Sequence, residues 1–198
     1  MMAAEPLTRD QILAAAKEAL RRYGPAKTTV VDVAQSLGVS HGAVYRHFPT
    51  KAALRAAVVQ HGLETVAGRL LKITEQTGPA PDRLHRWLLA FIGFKHEYAR
   101  QDPELFDTYA LIDKDAPDWG REHIGALTAQ LDQILADGVA AGEFRASARG
   151  GGRAIWNATT RFHHPAHRAE WAEPGIGEEF AAVWELILRG LVEDRGVD

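Results

Sequence analysis

Cysteine is missing from the chain altogether, which excludes disulfides, thiol nucleophiles and every cysteine-based zinc site, and fits a reducing compartment. Equally absent is any run of about 18 apolar residues, the length a helix needs to cross a bilayer. The first residues, Met1 to Arg9, lack the basic-then-apolar layout of a secretory signal. Together these absences predict a cytoplasmic protein with no membrane partner. No segment alternates polar and apolar residues in the rhythm of a strand, and there is no internal repeat or low-complexity tract. Catalytic signatures are missing as well: neither Gly-x-Ser-x-Gly, a phosphate loop nor His-Glu-x-x-His occurs. The chain therefore reads as a non-enzyme without a cofactor.

What is present is helical periodicity. With 46% apolar residues over 198 positions, a sizeable core is within reach. From Thr8, Ile12, Leu13, Ala16, Ala19, Leu20 and Tyr23 form a one-sided stripe that should end at Gly24-Pro25. Thr29 caps a short segment closed by Gly38, Ser40 caps a very short one broken by Pro49, and Thr50 opens a long helix through Ile73. Beyond the turn at 77–81, stripes predict helices through Leu84–Tyr98, Leu105–Ile112 and Ile124–Leu135. A further helix should run through Ile155 and Phe162 to Pro165, and a last one through Phe180–Leu191. The start of the 155–165 helix is obscured by Gly150-Gly151-Gly152, each of which costs about 1 kcal/mol relative to alanine inside a helix. Residues 168–176 read as a loop.

Charge is unevenly placed. The net value is −3, yet residues 1–51 hold seven Lys/Arg against four Asp/Glu, and the remainder sixteen against twenty-two. A basic head on an acidic body suits nucleic-acid contact at one end. Within that head lies a capped helix, a turn at Gly38 and a second capped helix, the layout of a helix-turn-helix whose second helix enters the major groove. Ala34 is small where two helices must approach, and Val39 and Val44 can seal the junction. His41, Gly42, Ala43 and Arg46 are not needed for a core and suit close approach to base edges. Tyr45, His47, Thr29 and Lys51 offer donors to phosphates.

The wording of this segment closely resembles the DNA-binding domain of the tetracycline-repressor (TetR) family. The resemblance lies in Thr28-Thr29, Asp32-Val33-Ala34, Leu37-Gly38-Val39-Ser40 and above all Gly42-Ala43-Val44-Tyr45-Arg46-His47-Phe48, followed by Lys51 and Leu54. It is strong over about the first 60 residues. By that resemblance, Thr29, Tyr45, His47 and Lys51 match phosphate-contacting places, and Ser40, His41, Gly42, Ala43 and Arg46 match places facing bases. The resemblance implies an all-α fold with a three-helix DNA-binding domain at 1–51 and a helical effector-binding and dimerisation domain at 52–198. It also implies a repressor that leaves a palindromic double-stranded operator when a small hydrophobic effector binds. Asp137–Arg145 is similar to a turn in many such regulators, and Phe162-His163-His164-Pro165 to a subset of them.

Three expectations concern the larger part. The family's last two helices form a four-helix bundle with a partner subunit, so the stripe Phe180, Val183, Trp184, Ile187, Leu188, Leu191 serves either a homodimer interface or the subunit's own core. Trp87, Phe91, Phe94, Tyr98, Tyr109, Trp119 and Trp156, with His123 and Thr160 as polar neighbours, are what an effector pocket needs, though aromatic residues at helical spacing also build cores. His163, His164 and His167 carry spacings from which a metal site is sometimes built, but Pro165 interrupts their helix. A regulator of this fold that answers to a protein partner, or to nothing, stays open on sequence alone.

Overall fold

Three threonines and a serine frame the opening stretch, each standing before a helix with its hydroxyl oxygen turned onto a free backbone N–H. Thr8 accepts from Gln11 N at 3.2 Å, Thr29 from Asp32 N at 3.2 Å, Ser40 from Ala43 N at 3.2 Å and Thr50 from Ala53 N at 3.0 Å. Each satisfies a donor that the helix cannot satisfy internally. The computed structural model describes residues 6–104, 106 and 118–192, and all regular structure among them is helical. We label the α-helices α1 (Arg9–Lys27), α2 (Val30–Ser36), α3 (His41–Tyr45), α4 (Lys51–Thr74), α5 (Ala80–Gln101), α6 (Asp118–Ala140), α7 (Gly152–Ala158), α8 (Thr160–His163) and α9 (Ile176–Leu191). The expected helix through Leu105, Tyr109 and Ile112 lies, apart from Phe106, outside the described residues.

The chain divides into two units. The first comprises Met1–Glu64 with Asp102–Lys114, the second Thr65–Gln101 with Asp115–Asp198. In the first, the α1 stripe Ile12, Leu13, Ala16, Ala19 and Leu20 is buried with Val30, Val33 and Ala34 of α2, Val44 of α3, and Leu54, Val58 and Leu63 of α4. The stop expected at Gly24-Pro25 is a kink. Gly24 takes φ +76°, and one more turn follows to Lys27. Thr28 holds the corner, its buried hydroxyl directed at the carbonyls of Ala19 (3.0 Å) and Gly24 (2.8 Å). Asp102, buried, pairs with Arg21 at 2.6 Å, so this unit draws on residues well beyond the first 64.

The second unit packs Leu84, Trp87, Leu88 and Phe91 of α5 with Leu127, Leu131, Ile134 and Leu135 of α6. Ile155, Phe162, Phe180, Trp184 and Leu191 complete that core. Gly152 opens α7 because of proximity rather than propensity. Its N–H donates to Asp132 Oδ1 at 2.7 Å, and a Cβ there would stand 2.7 Å from Thr128 O on α6.

Two expectations need correction here. The helix anticipated from Ile155 to Pro165 is broken at the buried Thr159, whose hydroxyl donates to Ile155 O at 2.9 Å while its backbone leaves helical geometry. The loop anticipated at 168–176 is, as far as Ala172, part of a 3-10 helix (Pro165–Ala172). That helix is tied down by Arg161–Glu170 (2.5 Å), by Trp171 Nε1 donating to Arg161 O (2.9 Å), and by His96 stacked on Trp171 at 4.5 Å. The final stripe is divided. Phe180, Trp184 and Leu191 belong to the subunit's own core, Val183, Ile187 and Leu188 are half-buried, and Leu186 is 70% exposed.

Candidate DNA-binding interface and effector region

Helix α3 is five residues long and held by one of them. Val44 is fully buried, and α2 and α3 pack on each other. The turn between them uses Gly38 at φ +66°, which a side chain would strain, and closes through Val39 N donating to Ala34 O at 3.0 Å. With Val44 pointing in, helical geometry turns the remaining side chains out. His41, Gly42, Tyr45, Arg46 and His47 are exposed, and Ala43 is half-buried. His41 and Tyr45, four apart, meet edge to face with centroids 6.4 Å apart. The buried Phe48 follows, with the Arg9 guanidinium 4.8 Å above its ring.

The expected phosphate contacts stand in different states. Tyr45 and His47 are exposed. Thr29 is exposed too, but its hydroxyl is engaged with Asp32 Oδ2 at 2.7 Å. That hydroxyl, then the Thr29 N–H, hold the Asp32 carboxyl below the usual range. Lys51 is half-buried and donates from Nζ to Ala26 O at 2.8 Å, an anchor that nothing in the spacing of the motif announced. Ser40 caps α3 through Ala43 N and so exposes the first turn of that helix.

In the second unit, the aromatic residues expected to meet an effector are partly gathered. Trp87 and Phe91 lie 5.5 Å apart, and Phe91 and Trp156 5.1 Å. Trp87 is fully enclosed, its indole N–H donating to Gln130 Oε1 at 2.9 Å, and Gln130 passes a hydrogen bond on to Ala67 O at 3.0 Å. Thr160 donates to Trp156 O at 3.2 Å. Phe94, with Arg69 5.6 Å above its ring, Tyr98 and Trp119 are half-buried, and Tyr109 lies outside the described residues. A separate open groove of about 830 Å³ is lined instead by Leu71, Thr74, Arg83, Ala126, Gln130 and Asp137, among others, and by none of the residues expected for the effector.

Sequence reasoning missed Lys95. It is buried, eight residues after Trp87 and four after Phe91, with its ammonium 5.5 Å from the centre of the Phe91 ring. A lysine in phase with an apolar stripe was the available signal. Near it stand the buried His163 and the half-buried His123. His163, against Phe91 (5.0 Å) and Trp156 (4.5 Å), is pushed down to about 3 by desolvation first and then by the Lys95 charge. His123 is pushed down to about 4 by the same two causes.

Of the three histidines weighed for a metal, one stands apart from the other two, whose rings meet edge to face 6.4 Å apart. His163 turns into this cluster, His164 accepts from Ala166 N at 3.2 Å, and His167 pairs with Glu170 at 2.6 Å. Among the described residues no three potential metal ligands are grouped together, and no helix is long and apolar enough to cross a membrane.

Comparison with known proteins bears on what this architecture is. Residues 12–58 match the model of bacterial regulatory proteins of the tetR family, and residues 80–184 match a tetracyclin repressor-like C-terminal domain. The chain belongs to the TetR family. TetR proteins are regulators, not enzymes. The nucleoid occlusion factor SlmA of Aliivibrio fischeri is 33% identical over 102 residues, 51% of this chain and 50% of SlmA. The transcriptional regulator TtgR of Pseudomonas putida is 45% identical over 58 residues, 29% of this chain and 28% of TtgR. The chain thus spans half or less of the length of these curated relatives. Among solved structures, SmeT, the repressor of the Stenotrophomonas maltophilia multidrug efflux pump SmeDEF, superposes with a TM-score of 0.64 at 19% identity, covering 96% of this chain and 92% of SmeT. SmeT has also been solved as a complex with triclosan. At that identity the likeness shows the TetR fold alone.

Proposed function

We propose that this TetR-family chain is a ligand-responsive, DNA-binding transcriptional regulator. In our reading it is a cytoplasmic repressor that leaves a palindromic operator when a small hydrophobic or aromatic effector binds. The observation that carries the reading is α3: one buried valine fixes it, and His41, Gly42, Tyr45, Arg46 and His47 are all presented to solvent. Ser40, His41, Gly42, Ala43 and Arg46 face bases, and Thr29, Tyr45, His47 and Lys51 meet the phosphates. The functional division is residues 1–51 for DNA and 52–198 for effector and dimerisation.

One such helix reads too few base pairs for specificity, so the active species is a homodimer whose two α3 helices meet successive turns of one groove face. Leu186 of α9, 70% exposed beside the half-buried Val183, supports that role. The effector, received among Phe91, Trp156 and their neighbours, acts through α4, which gives Lys51–Glu64 to the first unit and Thr65–Thr74 to the second. It lowers operator occupancy only by binding the DNA-incompetent state more tightly, and near-complete release requires a preference of several kcal/mol. SmeT, itself a repressor that forms a complex with a small aromatic molecule, lends support by analogy.

Footprinting of the purified protein on the intergenic DNA upstream of its own gene tests the reading. A protected, two-fold symmetric site is expected. Protection that is uniform along the DNA, or none at low salt, would end it.

A further inference from the structure

The open groove of about 830 Å³ in the second unit has no part in the function proposed above, and its chemistry points to an occupant of its own. One wall comes from the end of α4, Leu71 and Thr74, with Glu75 just beyond. The other comes from α6, with Ala126, Ala129 and Gln133. Arg83 of α5 lines it as well. Clefts of this size commonly hold small organic molecules.

Arg83 is the unusual member. Its side chain is only 8% exposed, and Nη1 is spent on Thr74 O at 2.8 Å and Asp137 Oδ2 at 3.0 Å. Its Nε is buried and meets no acceptor. A buried donor left unmet carries its full desolvation cost, which an acceptor brought into the cleft by a ligand removes. A slight turn of the guanidinium into the groove presents Nε while Nη1 keeps Asp137. Gln133 offers the complementary group. It donates from Nε2 to Asp137 Oδ1 at 2.7 Å, which leaves its amide oxygen to accept. Charge then decides which acceptor fits. Asp137 and Glu75 set two carboxylates against the one guanidinium in the lining, so an anionic ligand meets repulsion that an uncharged carbonyl escapes. Leu71, 41% exposed, and the exposed Ala126 and Ala129 supply apolar surface.

We propose that this groove is a small-molecule site distinct from the effector region, and that it takes an uncharged carboxamide on an apolar body. The carbonyl accepts from Arg83 Nε, the amide N–H donates to the Gln133 amide oxygen, and the body lies along Leu71, Ala126 and Ala129. The site shares none of the residues expected for the effector, so its fate does not decide the regulator reading.

Calorimetry on the full-length protein provides the test, with 2-naphthamide and cyclohexanecarboxamide each set against the matching carboxylate. At least one amide is expected to bind saturably below millimolar concentration, roughly tenfold or more tightly than its acid. Ala129→Phe places a ring in the groove from an exposed position. It should abolish amide binding and leave the thermal midpoint near the wild-type value. Arg83→Lys keeps a cation beside Asp137 but removes Nε, and should bring amide affinity down toward that of the acid. Should Arg83→Lys fail to fold, the gap between amide and acid in the wild type and its loss in Ala129→Phe still decide. No amide bound at millimolar concentration, an acid bound as tightly as its amide, amide binding that survives Ala129→Phe, or amide affinity unchanged in a folded Arg83→Lys overturns the assignment.

Discussion

At the scale of single residues, the α3 surface separates two kinds of side chain that a binding experiment can tell apart. Arg46 is exposed one residue past the end of α3 and has the guanidinium fork that pairs with guanine. Arg46→Ala should relax preference at one base pair of each half-site, by about 1–3 kcal/mol of discrimination. Unchanged preference in a randomised-operator selection would show that it reads no base. Tyr45→Phe and Lys51→Ala should instead weaken binding to every sequence alike and flatten the dependence on salt. Because Lys51 also holds Ala26 O, its substitution should loosen the α1 corner as well, and the loss should exceed that of Tyr45→Phe. Inside the second unit, a titration gives a further prediction. His163 and His123 lie near 3 and 4, against 6.5 for a free histidine. Between about pH 6.5 and 4 the unfolded chain therefore binds protons at these sites that the folded chain refuses. Their contribution to stability is complete above that window and is lost as pH falls through it, by up to about 1.4 kcal/mol per pH unit for each site. Urea midpoints measured at pH 7.5, 6 and 5 should fall, and His163→Gln should make the fall shallower; an identical slope in that variant would contradict the assignment.

At the scale of elements, one helix offers two glycines with opposite expected signs. Gly125 of α6 is exposed with no atom within 4 Å of a would-be Cβ, so Gly125→Ala should stabilise by roughly 0.5–1 kcal/mol through backbone propensity alone. Gly138, thirteen residues further along the same helix, faces the Phe144 ring, and a Cβ there would stand 2.8 Å from Ala80 Cβ. Gly138→Ala should therefore destabilise by about 1–3 kcal/mol. Denaturant midpoints that move in the same direction for both would mean that packing does not set the sign. The same contrast explains what was legible beforehand. Helices announced by a cap, a stripe and a breaker, such as those opened by Thr29, Ser40 and Thr50, could be read directly because each signal is local. The 3-10 turn at Pro165–Ala172 and the role of Gly152 depend on partners many residues away, namely His96 and Asp132. No window along the chain contains them. The α3 side chains were legible for the same reason, since a five-residue helix with one apolar anchor has only one way to face. Lys95 was not, because a lone lysine on an apolar stripe acquires meaning only once His123 and His163 are folded around it.

At the scale of the whole molecule, the proposal of a dimer carries the most weight for function, and it is best tested without cutting the chain. A fragment ending near residue 60 would lack Asp102, the buried partner of Arg21, so weak DNA binding by such a fragment would confound lost symmetry with lost stability. A surface substitution avoids this. Leu186 is 70% exposed on α9, and Val183, three before, places a half-buried apolar edge beside it. Phe180, Trp184, Ile187 and Leu191, on the face that packs on the subunit's own core, point away from Leu186, with Val183 at the edge between them. A glutamate at 186 in a monomer would remain in water and cost little, whereas in a two-fold interface the residue meets its own symmetry mate or that mate's close neighbours. Two carboxylates would then be brought together in an apolar seam, and like charges so placed cost several kcal/mol. Leu186→Glu should therefore leave the melting of a dilute monomer unaltered, shift the monomer–dimer midpoint in sedimentation to much higher concentration, and weaken operator binding in step. Operator affinity that holds while the dimer comes apart would mean that DNA itself assembles the pair; a sedimentation profile identical to wild type would place the interface on some surface other than α9.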